Sequence, residues 1–115
     1  MVAHEYVPEL GDLIWVDFNP QAGREQAGRR PAVVLSPRAY NYKTSLAIVC
    51  PITSHPKGYP FEVPVPAGQR IGGVILSDHL KTIGWRQRNA EKAGKISSIA
   101  LGQVRDRVGT LLGIV

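Results

Sequence analysis

One run constrains the fold more than any other. Leu46 to Ile52, LAIVCPI, is seven residues without a charge or a side-chain amide. A strand apolar on both faces must be covered on both, so this one belongs at the centre of a sheet. The runs around it supply its neighbours. Asp12 to Phe18, DLIWVDF, mixes β-branched and aromatic residues, with Ile14, Val16 and Phe18 on one face and Leu13, Trp15 and Asp17 on the other. Pro31 to Ser36 is a second strand, opened by a proline that has no N–H to give. Shorter strands are expected over Phe61–Val65, Gly72–Leu76 and Thr82 to about Arg88, and a helical turn over Pro37 to about Tyr42. The only long helical pattern comes last. Ser97 or Ser98 caps it, and Leu101, Val104, Val108, Leu111, Leu112 and Val115 form its apolar stripe. Short strands in antiparallel order with one C-terminal helix describe a mainly β fold, a small curled sheet or open barrel.

At 115 residues and 43% hydrophobic content the chain suits a single domain over 1–115 with a real core. Cys50 stands alone, which excludes an internal disulfide or a cysteine-rich zinc site, and its apolar neighbours suggest a small core residue. The histidines His4, His55 and His79 show no HxxxH spacing, so no metal is expected. Neither a GxxxxGKS loop nor a GxSxG elbow is present, and no cofactor is called for. No run approaches the ~20 apolar residues of a membrane span. The opening MVAHEYVPEL lacks the regions of a signal peptide, so a cytoplasmic protein is expected.

A net charge of +5 and a pI near 9.7 favour an acidic partner: nucleic acid, an anionic surface or an acidic protein segment. The positive charge is clustered. Arg24, Arg29 and Arg30 crowd the end of a long loop, Gln21 to about Arg30, and Lys81, Arg86, Arg88, Lys92 and Lys95 form a second group. Long loops of this kind often carry function. Glu25, Arg29, Arg30, Thr53 and the histidines suit one metal-free reaction, the cleavage of RNA by its own 2′-hydroxyl. That reaction needs a base for the 2′-OH, a cation for charge building on phosphorus and an acid for the leaving 5′-oxygen. Arginine's planar fork fits phosphate and stays charged, and a nearby arginine keeps a glutamate ionised as a base.

The runs GDLIWVDFNP, EQAGRRPAVVLS, VCPITS, KGYPFEV and LKTIGW, in this order, closely resemble the MazF/PemK toxin family, from Tyr6 to the C-terminal helix. The resemblance implies a sequence-specific, metal-independent endoribonuclease of a toxin–antitoxin module. It also implies a homodimer of SH3-like barrels related to the gyrase poison CcdB, and an acidic, MazE-like antitoxin segment that blocks the RNA groove. The expected products carry a 2′,3′-cyclic phosphate and a free 5′-hydroxyl. Carried over by position, the resemblance assigns Arg30 to the phosphorane charge, Glu25 to the general base and Thr53 to a phosphate hydrogen bond. The general acid stays open, since a side chain with a pKa above ~12 is a poor acid alone. Asn19, Arg29, His55, Lys57, Tyr59, His79, Lys81 and Arg86 are the expected RNA contacts, each with a structural alternative. His79 stands where relatives often have glutamine, and His55 lies in a variable loop. Trp15 and Trp85 are expected to hold the antitoxin or to stack on bases, or else to serve the core. The alternative function is a non-catalytic module of the same fold: a gyrase poison, or a binder of RNA or antitoxin. The ending LLGIV has no tryptophan nearby, unlike the Trp-Gly-Ile ending of the gyrase poison, and argues against that form.

Overall fold

A computed structural model describes residues 5–18 and 28–114. The elements run β1 (Asp12–Asp17), β2 (Arg29–Val34), α1 (Arg38–Thr44), β3 (Leu46–Thr53), β4 (Glu62–Pro64), β5 (Val74–Leu76), β6 (Lys81–Gly84), β7 (Glu91–Lys95) and α2 (Ser98–Leu112). All pairings are antiparallel, in the order β4-β5-β3-β2-β1-β7, with β6 also on β3. The sheet is therefore an open one: β4 and β7 are its edges, and the expected barrel does not close. β3 is central, as its composition requires. β2 lies along one edge of it, and β6 then β5 along the other.

The sheet has a core on each face. Leu13, Val33, Cys50 and Ile52 join Ile75, Ala93 and the α2 residues Ala100 and Val104 in one cluster. Ile14, Val16, Ala32, Val34, Ala47 and Val49 join Val7, Ile83 and Trp85 in the other. We call these the helix face and the inner face. Strand alternation assigns neighbouring residues of each central strand to opposite cores. Burial pushes the Cys50 thiol up to about 12, which leaves it an inert packing group.

The helix α2 begins where a serine was expected to cap it: the Ser97 hydroxyl accepts from the Ala100 N–H at 3.2 Å. Its stripe covers the helix face only as far as Val108. Leu111 and Leu112 are 44% and 56% exposed, while Val115 lies outside the described residues. Strand β7 has no counterpart in the sequence reading. Its residues, EKAGK, have little strand preference, and it forms because β1 offers a free edge. The strand expected to reach Arg88 stops at Gly84, where the chain turns back on itself and the Arg88 N–H bonds the Gly84 carbonyl. Among the described residues, no helix is long and apolar enough to cross a membrane.

Candidate active site

The two arginines at the start of β2 point to opposite faces. Arg29 pairs with Asp17 and Arg30 with Val16. Arg29 is thus on the helix face, where its guanidinium donates to Asp17 Oδ1 (3.1 Å), the Asn89 carbonyl (2.9 Å) and Glu91 Oε1 (3.1 Å). It ties β1, β2 and β7 together. Exposed ion pairs are each worth at most about 1 kcal/mol, but three acceptors on one fork fix its position. Asp17 is held below the usual carboxylate range by the Asn89 amide and by Arg29. Arg29 is therefore a structural tie between strands, on the face of the sheet opposite Arg30.

Arg30 is on the inner face, exposed at its end beyond Ala32 and Val16. Among the described residues its side chain has no hydrogen-bond or ion-pair partner. The β2–β3 register pairs Ala32 with Pro51; continued by two residues, it carries Arg30 opposite Thr53. A fixed cation on one strand thus faces a hydroxyl on the next. The Thr53 Oγ1 accepts the His55 backbone N–H at 3.1 Å, which leaves its own proton free to donate outward.

Thr53 is also the inner corner of a cleft of about 420 Å³, lined by His55, Lys57, Tyr59, Glu62, Leu76 and His79 as well. The fold therefore gathers five expected residues in one place: Thr53, His55, Lys57, Tyr59 and His79. His55 Nδ1 is 3.2 Å from the Ser54 hydroxyl. The Tyr59 hydroxyl donates to Asp78 Oδ1 at 3.0 Å, and the same oxygen is 3.7 Å from His79 Nε2. Burial and that carboxylate push the Tyr59 phenol above its ordinary value, so it remains a donor. Lys81 stands beside the cleft on the inner face, opposite Val49, and the curl of the sheet brings its Nζ to 5.6 Å from the Phe18 ring centroid.

Three expectations separate from this site. Arg86 lies beside Ser45, at the opposite end of β3 from Thr53, where it donates to Glu5 at 2.6 and 2.9 Å and stacks 4.3 Å from the Trp85 ring. It is a clamp on the N-terminal segment and not part of the cleft. Trp85 is 2% exposed and its indole N–H donates to the Asn41 carbonyl at 2.9 Å, so it offers a partner almost no surface. Trp15 is half-buried against the helix-face core and keeps some surface free. Glu25 and Asn19 lie outside the described residues.

Besides Glu62 and Leu76, which line the cleft, two residues that support the site went unread in the sequence. Asp78 holds Tyr59, and its signal was the adjacency of an acid to His79. Gly73 has a positive φ of 119°, and a Cβ there would meet the Thr53 carbonyl oxygen at 2.1 Å. The side chain of any other residue would displace the strand end that carries Thr53. Its signal was the Gly72-Gly73 pair at the entry of a short strand.

Comparison with known proteins gives the family and the fold. The profile of the PemK-like, MazF-like toxins of type II toxin–antitoxin systems matches residues 9–112. The chain is 52% identical over 108 residues to the endoribonuclease toxin MazF of Escherichia coli K12, covering 94% of this chain and 96% of that one. It is 32% identical to the Escherichia coli endoribonuclease PemK, over 90% of this chain and 81% of that one. Among solved structures, MazF from Deinococcus radiodurans superposes with a TM-score of 0.86 at 52% identity, covering 95% of this chain and 99% of that one. A MazE–MazF complex from the same organism gives 0.87 at 46% identity, over 96% of this chain and all of the other.

Proposed function

Because the chain belongs to the PemK-like, MazF-like toxin family of type II toxin–antitoxin systems, we propose that it is a metal-independent endoribonuclease toxin that cuts single-stranded RNA at particular sequences. The observation that supports the reading is the β2–β3 register, which pairs Ala32 with Pro51 and, continued by two residues, brings Arg30 level with Thr53, a lining residue of the cleft. RNA lies along the inner-face rim and into the cleft, with the scissile phosphate between these two side chains. Glu25 takes the proton of the 2′-hydroxyl, whose oxygen attacks phosphorus. Charge builds on the phosphoryl oxygens, where the Arg30 guanidinium and the Thr53 hydroxyl meet it. The bond from phosphorus to the 5′-oxygen breaks, that oxygen takes a proton, and the products carry a 2′,3′-cyclic phosphate and a 5′-hydroxyl.

Lys57, Tyr59, His55 and His79 line the part of the cleft that neighbouring nucleotides would occupy. Tyr59 and the histidines offer ring faces for stacking as well as polar edges, and Lys57 offers charge. Lys81 adds a cation beside the rim. The partner that silences the toxin is an acidic, MazE-like segment, attracted by the same positive charge, with the half-buried Trp15 ring on the helix face as a further contact. We place the whole chain, as one toxin domain working as a homodimer, in the cytoplasm, where its RNA substrate is. The test incubates the purified protein with an unstructured RNA in excess EDTA and maps both ends. Cleavage is expected, with cyclic-phosphate and 5′-hydroxyl termini. Cutting that requires Mg²⁺, or ends with a 5′-phosphate, contradicts the mechanism. RNA left intact favours the non-catalytic binding module.

A further inference from the structure

A glutamate in a cleft that takes RNA is out of place, since a carboxylate repels phosphate. Glu62 is such a residue, one of the cleft's lining side chains. Its two oxygens are both engaged by its own loop. Oε2 accepts the Lys57 backbone N–H at 2.8 Å, and Oε1 accepts the Gly58 N–H at 2.9 Å. Two successive N–H groups converging on one anion form a nest, a concavity that backbone reaches only with a positive-φ residue in it. Gly58 supplies that conformation, with φ of 82°. The backbone N–H of Glu62 closes the turn by donating to the Tyr59 carbonyl at 3.1 Å.

The same loop is tied at two further points. The Tyr59 hydroxyl bonds Asp78, and Arg107 Nε of α2 donates to the Pro60 carbonyl at 2.9 Å. Both act at or beyond Tyr59. Among the described residues, only the Glu62 clasp holds the backbone of Lys57, the long exposed side chain between His55 and Tyr59. A lysine on a loose backbone loses more freedom on binding than one already placed, and that loss weakens affinity.

We propose that Glu62 is a positioning residue: it holds the β3–β4 loop in the shape that reads RNA, and so sets affinity and cut-site choice without touching the reacting atoms. The inference rests on the ribonuclease reading above. Three variants, Glu62→Ala, Glu62→Gln and Tyr59→Phe, are compared with the parent by amide hydrogen exchange, by kinetics on a short RNA and by the cut-site profile on a long RNA. In Glu62→Ala, exchange at Lys57 and Gly58 speeds up about tenfold or more while β3 amides stay as they were. KM rises about tenfold, kcat falls less than about threefold, and the cut-site preference broadens. Glu62→Gln keeps one carbonyl oxygen and recovers part of the KM and part of the protection. Tyr59→Phe leaves the Lys57 and Gly58 amides protected.

Unchanged exchange at Lys57 and Gly58 in Glu62→Ala overturns the proposal, as does faster exchange with the parent's KM and cut-site profile. A loss confined to kcat also overturns it. If Glu62→Ala does not fold, Glu62→Gln decides: exchange and KM as in the parent overturn the proposal. If the parent leaves RNA uncut, the ribonuclease reading fails by itself. The affinity of each variant for a 2′-deoxy oligonucleotide then replaces KM, and an unchanged affinity in the loosened loop overturns the positioning role.

Discussion

Alternation along β2 decides what each arginine of the Arg29-Arg30 pair can do. Odd residues of this strand meet the helix face and even residues the inner face, so one guanidinium ties strands together and the other, without a partner among the described residues, shares the face of Thr53. That separation was not legible in the sequence, because the strand was expected to start at Pro31 and the run PAVVL is apolar on both faces. The role of Gly73 was not legible, since it depends on a carbonyl twenty residues earlier in the chain. Close approach to Thr53 makes Gly73 the most exacting residue near the site. Gly73→Ala is expected to cost about 3 kcal/mol in a urea midpoint measurement, because strain at positive φ and a backbone clash coincide. It should also slow RNA cleavage by about a hundredfold in the folded fraction, through displacement of the Thr53 hydroxyl. A variant with the parent's stability and rate would mean that the strand end yields without cost.

Elements of this fold are held at their ends by charged side chains. Glu5 and Arg86 join the N-terminal segment to the turn after β6, and Asp17 with Arg29 and Asn89 joins β1 to β2 and to the turn before β7. The Arg86 guanidinium holds the Glu5 carboxyl below its ordinary value, and Asn89 with Arg29 does the same for Asp17. A folded-state value below the unfolded one means that the unfolded chain binds more protons in that window. Stability therefore rises with pH there: it is full above the unfolded values of about 4 and is lost as pH falls through the folded ones. Thermal melts at low salt should show a fall in midpoint below about pH 4, and the Asp17→Asn, Glu5→Gln double variant should flatten it. Equal slopes in both proteins would remove these ties from the account. The same ends explain what sequence could and could not provide. β1, β3 and α2 carry their own periodicity and were read close to their true limits. β7 owes its existence to pairing with β1, and its register shifts between Leu13 and Ile14, so nothing in EKAGK announces it. The clasp of Glu62 on the Lys57 and Gly58 amides is also an end effect, visible only once the loop has folded.

Across the whole molecule, the central sheet divides labour between its faces. The helix face is closed by α2 and by the Arg29 ties, and the inner-face rim carries Arg30, which has no partner among the described residues, with Thr53 and Lys81. The net charge of +5 is thus not spread evenly in its effect. Asp17 and Glu91 share Arg29 and Glu5 pairs with Arg86, all away from the cleft, which leaves Arg30, Lys57 and Lys81 as the cations where RNA or an acidic antitoxin segment would lie. Charge clusters in sequence do not record which face a strand turns outward, so the ion pairs that hold Arg29 and Arg86 away from the cleft were visible only in the fold. The most direct test of the account is a single-turnover cleavage assay in EDTA that compares Arg30→Ala with Arg29→Ala, each normalised to its folded fraction. Arg30→Ala is expected to fold as the parent does and to lose about a hundredfold to a thousandfold in rate. Arg29→Ala should melt earlier yet cleave within about threefold of the parent per folded molecule. Arg30→Ala cleaving at the parent's rate, or Arg29→Ala losing as much as Arg30→Ala, would contradict the assignment of chemistry to the inner face.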